Sequence, residues 1–305
     1  MKAAIETQGL RKVYQDVVAL DDLTFHVPKG SVFGLIGRNG AGKTTTLNLL
    51  IGLLHPDAGW ARIEGHDAHR EGRKARRAIA FVSEEAQVYP WLTVEEAARY
   101  WSRLSGHWHE PAFRQCVERF DLPLKRSVAK LSKGMRTQLL LALAVGKQPS
   151  VYILDEPTAG LDPVVRRLVL RLLDDEARQH GRTVLFSSHL LSELDDACTH
   201  VAMLDRGRIK IQSELGALRS AWRKYEFSCR DCDLEGALRD LGLSSWEKRG
   251  DAYSVFVGAD HDRILAGLHA LRVTGLRATD MRLEEIFFSV IGVKPAADGA
   301  ESRER

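Results

Sequence analysis

Gly37-Arg-Asn-Gly40-Ala-Gly42-Lys43-Thr44 fits the pattern G-x-x-x-x-G-K-[ST], a spacing suited to holding a polyphosphate. Its glycines let the backbone turn tightly, so that successive N–H groups face phosphate oxygens, and the dipole of a following helix adds to the attraction. Lys43 would neutralise β- and γ-phosphate charge, and the Thr44 hydroxyl would ligate Mg²⁺. A second reactive pair, Asp155 and Glu156, follows the apolar run Val151-Tyr-Ile-Leu154. Asp155 suits the shell of the same cation, and Glu156 is placed one residue on to orient and deprotonate a water. Two adjacent acids could also merely cap a strand; the phosphate loop upstream favours the catalytic reading. His189 ends the run Thr183-Val-Leu-Phe-Ser-Ser188, where a γ-phosphate contact competes with a purely structural role.

These groups need elements that bring them to one edge. Val32-Phe-Gly-Leu-Ile36 reads as a strand entering the loop, and Thr45 to Ile51 reads as the helix leaving it. Continuous apolar runs such as 151–154 and 183–186 suit strands buried on both faces. Open α/β sheets present ligands at the carboxyl ends of such strands. The spacing further predicts strands at 4–6, 20–27 and 78–82 and a short hairpin over 59–65. Helices are expected from Thr93 with breaks near Gly106 and Pro111, and over 137–146 and 164–180. A hairpin is expected over 201–211. Tyr14, in the stretch between the first two strands, could stack on a purine or be a half-buried strand residue.

From about Tyr225 the pattern changes to β-α-β-β-α-β, the split-βαβ order, with no catalytic constellation. A last helix carries Leu283, Ile286, Phe287, Val290 and Ile291 at helical spacing. The polar tail 293–305 is expected to be disordered.

At 305 residues, 44% hydrophobic and 28% charged, the chain is long enough for one large domain and a smaller one. Its formal net charge of +3 makes no case for nucleic acid as a partner. The basic cluster at 70–77 reads as a solvated helix face. Cys229-Arg-Asp-Cys232 is a single C-x-x-C without a second pair, which argues against zinc. Met1 to Thr7 lacks the apolar segment of a signal peptide, and the longest apolar run falls far short of the roughly 20 residues that span a bilayer. With four cysteines, this points to a reducing cytoplasm.

Together, and in this order, the motifs over about residues 3–215 resemble the ATP-binding subunit of a bacterial ABC transporter. Gly37–Thr44 resembles Walker A, Val151–Asp155 Walker B, and Glu156 the catalytic glutamate. His189 is similar to the switch histidine, and Asp162 lies in a D-loop-like stretch. Leu131-Ser132-Lys133-Gly134-Met135 resembles the signature, altered at Lys133 and Met135 but retaining Ser132 and Gly134. The resemblance implies ATP contacts from Tyr14, stacking on adenine, and from Asn39, Gly40, Ala41, Gly42, Lys43, Thr44 and Thr45. Ser132, Gly134 and Asp162 would add contacts, and Thr44, Glu84 and Asp155 would hold Mg²⁺. Glu84 stands where the family places the Q-loop glutamine, so the stretch resembles an E-loop; the alternative is that Gln87 serves instead.

The resemblance implies a P-loop NTPase fold of ABC type: a RecA-like α/β core, an antiparallel β subdomain and a helical insert over about 85–147. An ATP-binding domain over 1–220 would precede an accessory α+β domain over 221–292, whose split-βαβ order suits a ferredoxin-like fold. It also implies an ATPase acting as a head-to-tail dimer, as a homodimer, with each ATP between one chain's phosphate loop and the other's Ser132 and Gly134. A separate integral membrane permease would complete the machine, with this chain peripheral on the inner face of the membrane. The ending Met281-Arg-Leu-Glu-Glu-Ile-Phe-Phe288 resembles exporter-type subunits. The rival class is a soluble or regulatory ABC ATPase; the long coiled coil of repair-type members and the paired ATP domains of translation-type members are not found in this sequence.

Overall fold

The computed structural model describes residues 2–291 other than 84, 230–233, 244 and 272, and the side chains of Ser192 and Asp196 are likewise not described. The chain divides into two compact units, 1–212 and 213–305.

In the first unit, β1 (Ala3–Tyr14) and β2 (Val17–Pro28) form a long antiparallel hairpin. The sequence suggests a strand of only three residues at the start. The extra length is sustained by pairing rather than by alternation, because register shifts between Thr7 and Val13 break the period-2 pattern. β4 (Ala58–Ile63) pairs with β1, and β5 (His66–Asp67) with β4, giving the sheet order β2-β1-β4-β5.

The second sheet has the order β10-β9-β3-β8-β7-β6. Its members are β3 (Val32–Ile36), β6 (Ile79–Val82), β7 (Val151–Asp155), β8 (Thr183–Ser188), β9 (His200–Asp205) and β10 (Arg208–Glu214). β3, β7 and β8 are buried along their whole length, as expected for strands covered on both faces. The contacts β9–β3–β8–β7–β6 are all parallel. α1 (Lys43–Leu50) lies between the sheets, touching β7 of one and β2 and β4 of the other. Leu47, Leu49 and Leu50 are fully buried in the core that joins them.

The basic cluster becomes α2 (Gly72–Ala78), ahead of β6. The insert holds α3 (Val94–Leu104), α4 (Glu110–Arg119) and α5 (Lys133–Gly146). α3 starts at a reciprocal capping box between Thr93 and Glu96. Pro111 opens α4 at its first turn rather than breaking a helix. α5 begins four residues earlier than the apolar pattern suggests, since Ser132 caps it and the polar first turn hides its start. α6 (Pro163–Arg178) and α7 (Leu191–Ala197) complete the unit. Among the described residues no helix is long and apolar enough to cross a membrane.

The second unit opens with α8 (Leu215–Ala221), so the division falls at Gln212 rather than after residue 220. It continues with β11 (Arg223–Ser228), α9 (Leu234–Asp240), β12 (Trp246–Arg249), β13 (Ala252–Val257), α10 (His261–Ala270) and β14 (Thr274–Asp280). The sheet order is β12-β13-β11-β14, with antiparallel neighbours throughout. That is the ferredoxin-like arrangement, and Tyr225, Phe227, Leu238, Tyr253, Val255 and Leu268 fill its core. α11 (Leu283–Ile291) buries Leu283, Ile286 and Phe287. Cys116 and Cys198 are free thiols and Cys229 is in a disulfide; Cys232 and the tail 293–305 lie outside the described residues.

Candidate nucleotide-binding and hydrolysis site

Strand register assembles the reactive groups. β8 runs between β3 and β7, and Ser187 is level with Leu35 on one side and Asp155 on the other. The residues that follow this row are the glycine-rich loop 37–44, Glu156 and His189, so three distant segments reach one edge.

The loop after β3 requires its glycines. A Cβ on Gly37 would lie 2.6 Å from the Leu204 carbonyl oxygen. Gly42 has φ +108°, and a Cβ there would meet the Ala19 carbonyl at 2.8 Å. Ala41 is pinned by its N–H donating to Arg38 O (3.1 Å) and by accepting from Gly207 N–H (2.9 Å). Asn39 and Gly40 are exposed on the rim; Thr44 is exposed on the first turn of α1, with Thr45 half-buried behind it. Lys43 is buried. Its Nζ donates to Gly37 O at 2.7 Å and lies 3.4 Å from Glu156 Oε1.

Asp155 is buried at the end of β7, where its Oδ1 accepts from Ser187 Oγ at 2.6 Å. Ser187 Oγ in turn accepts from Glu156 N–H at 2.9 Å. Glu156 has φ +50°, a left-handed conformation that costs a non-glycine residue about 1–3 kcal/mol and persists only when its surroundings impose it. The twist aims the carboxylate back at the loop, with Oε2 2.8 Å from His189 Nδ1. An ionised carboxylate only accepts, so Nδ1 carries the hydrogen in this contact and Nε2 is the nitrogen left over.

A second group surrounds Gly160. Ser132 Oγ accepts from Met135 N–H at 3.2 Å to cap α5, and Asp162 Oδ1 accepts from Val164 and Val165 N–H at 3.0 Å to cap α6. The Lys133 side chain lies over Gly160, and Gly134 faces Leu161. Ser132 and Asp162 are exposed.

Tyr14 ends β1 with 42% of its surface exposed, and Lys12 Nζ sits 5.7 Å from its ring centroid. Glu84 lies outside the described residues. Gln87 is exposed and lines a groove with Arg73, Arg77, Phe81, Trp101 and Leu104.

Sequence reasoning missed the polar residues that hold the reactive ones. Ser187 bridges Asp155 and Glu156, and the buried Glu193 accepts from both Thr158 and Ser188. The signal was present as hydroxyls flanking the acids and the histidine, but nothing in the spacing pairs residue 158 with 193.

The family model described as ABC transporter matches residues 20–159. The daunorubicin/doxorubicin resistance ATP-binding protein DrrA of Streptomyces peucetius is 39% identical over 315 residues, covering 97% of this chain and 94% of the relative. The chain belongs to the ABC transporter ATP-binding family. The bacitracin transport ATP-binding protein BcrA of Bacillus licheniformis is 34% identical over 234 residues, 76% of each chain. A solved ATP-binding subunit of an ABC transporter, 32% identical, covers 71% of this chain and 92% of its own with a TM-score of 0.66. A dimeric cassette bound to ADP and Pi, 21% identical, shares the fold at a TM-score of 0.63. This ABC ATP-binding protein therefore binds ATP and hydrolyses it in the service of transport.

Proposed function

We propose that the chain powers a separate integral membrane permease that exports its substrate, working as a head-to-tail homodimer on the inner face of the membrane. The relatives named for daunorubicin/doxorubicin resistance and bacitracin transport, together with Nod factor export ATP-binding protein I of Paraburkholderia xenovorans, support export over import. The observation that carries the catalytic reading is the single Glu156 carboxylate standing between Lys43 and His189.

In this reading the loop N–H groups and Lys43 bind the phosphates, Tyr14 stacks on the adenine, and Glu156 takes the proton of the attacking water. His189 contacts the γ-phosphate once its ring can direct a donor there. The partner subunit would supply a second Ser132 and Gly134 at the N-terminus of α5, completing the phosphate cage. Thr44 and Asp155 offer one hydroxyl and one carboxylate, a hard-oxygen set suited to Mg²⁺ that keeps waters and phosphate oxygens as its other ligands. Bound there, Mg²⁺ would offset phosphate charge.

The helical insert is the surface offered to the permease. Its groove between α2, β6, α3 and α5 has an apolar floor and a basic rim. Beside it Tyr89 stacks on Trp91 at 4.9 Å, and Tyr100 stands edge-on to both Tyr89 and Trp101. Trp91 is 71% exposed and Leu104 66%, a cluster of large apolar groups of the kind that marks protein contacts. The test is capture of a membrane protein from detergent extracts of the native cell, with Trp91→Ser and Leu104→Asp as variants. Loss of capture and of stimulated ATPase with unchanged ATP binding supports the assignment. Full capture and stimulation by both variants contradicts it.

A further inference from the structure

We propose that Glu193 is a positioning residue for ATP hydrolysis, clamping into one arrangement the turn after Glu156, the strand end before His189 and the start of α6. The proposal rests on the roles assigned above to Glu156 and His189.

Glu193 lies on α7, its side chain only 2% exposed. Oε2 accepts from Thr158 Oγ1 at 2.5 Å and from Ser188 Oγ at 3.1 Å. Oε1 lies 3.0 Å from Arg166 Nε, an ion pair without aligned hydrogen-bond geometry. Thr158 is two residues beyond Glu156, Ser188 is one before His189, and Arg166 is four beyond Asp162. One carboxylate therefore touches residues lying one, two and four positions from three candidate site residues.

The arrangement has a physical task. Left-handed Glu156 does not hold itself in place, and its conformation needs anchors on both sides. Ser187 Oγ supplies one at the Glu156 N–H, and Thr158 bonded to Glu193 supplies the other. The same Glu193 oxygen holds Ser188, so the 2.8 Å spacing between Glu156 and His189 is set from below by a shared buried acceptor. Ser188 is further tied to its own helix start, since its Oγ accepts from Leu190 N–H at 3.0 Å. A buried carboxylate is costly unless all its partners are present, so each of the three segments is held wherever Glu193 is. Hydroxyls at 158 and 188 and a cation at 166 form a donor set matched to the Glu193 anion.

The experiment measures turnover and ATP affinity of the full chain carrying Glu193→Gln, Thr158→Val or Thr158→Ser, with Glu156→Gln as the reference. Glu193→Gln removes the charge at nearly constant shape; Thr158→Val removes the hydroxyl, and Thr158→Ser keeps it. Glu193→Gln and Thr158→Val should lower kcat by about 10- to 100-fold, the scale of a misplaced catalytic group. ATP affinity should stay within about twofold, the split expected of an interaction used only in the transition state. Thr158→Ser should recover most of the native rate. If Glu193→Gln does not fold, the Thr158 pair carries the test alone. Native turnover in Glu193→Gln while Glu156→Gln is inactive overturns the positioning role and leaves the catalytic reading standing. So does a Thr158→Ser variant as slow as Thr158→Val, or an ATP affinity that falls in step with the rate. Native turnover in Glu156→Gln removes the catalytic reading and the positioning role with it.

Discussion

Lys43 Nζ lies 3.4 Å from Glu156 Oε1, with both side chains largely buried at 7% and 14% exposure. The residue that should greet the phosphates and the residue that should activate water thus neutralise each other, and an incoming γ-phosphate competes with the carboxylate for the same ammonium. Glu156→Gln removes that competitor along with the base. Hydrolysis should fall by at least about 100-fold, as for loss of a positioned base, while ATP binds as tightly as before or tighter. Lys43→Ala should instead weaken ATP binding, because a charge-assisted contact is lost. Calorimetry and phosphate release on the two variants separate the roles; near-normal turnover in Glu156→Gln would falsify its assignment as base.

Gly42 and Gly40 both have positive φ but differ in the space around them. A methyl group on Gly42 collides with the Ala19 carbonyl and the Leu20 side chain, whereas none of the neighbours of Gly40 comes within 4 Å of its added carbon. Gly42→Ala should therefore distort the loop, lowering stability by more than the roughly 1–3 kcal/mol of backbone strain alone and abolishing detectable ATP binding. Gly40→Ala carries only the strain and should keep measurable affinity. Equal affinities in the two variants would contradict the packing argument.

Glu84, which stands where the family places a glutamine, is one departure from the family pattern, beside Lys133 and Met135 in the signature. A carboxylate binds a hard cation more strongly than an amide oxygen but lacks the amide's donor. It also adds negative charge that only a bound cation offsets. ATPase activity should consequently depend more steeply on Mg²⁺ in the native chain than in Glu84→Gln. Gln87, exposed in the groove beside Arg73 and Trp101, is the rival. A Mg²⁺ titration in which Gln87→Ala shifts the midpoint and Glu84→Gln does not would hand the role to Gln87.

The ferredoxin-like unit is predicted to bias assembly without touching ATP. A chain ending at Glu214 keeps all of β10 and leaves the central sheet intact. Its ATP affinity as a monomer should stay within about threefold of the full chain, a difference of under 1 kcal/mol. Dimer formation, followed by light scattering with Glu156→Gln and ATP, is the property expected to change. A large loss of affinity in a folded truncation defeats the prediction.

Much of this protein was legible where chemistry is contiguous in the chain. The glycine-rich turn at 37–44 and the buried strand that delivers the acids 155 and 156 could be read directly, since a turn needing glycines and a strand buried on both faces leave local marks. The alternation of the second unit was readable for the same reason, and its order β12-β13-β11-β14 completes the ferredoxin-like pattern. Where pairing overrides pattern, the sequence was silent. β1 runs on to Tyr14 because β2 holds it across register shifts, and α5 starts at Lys133 because Ser132 caps it. Only the tertiary structure decided that Leu35, Ser187 and Asp155 share a row, that Glu156 is turned left-handed toward Lys43, and that Glu193 meets Thr158 and Ser188. Except for Glu193 and Ser188, five positions apart, those are contacts between residues tens to more than a hundred positions apart, and no local propensity encodes a partner that the fold alone brings within reach.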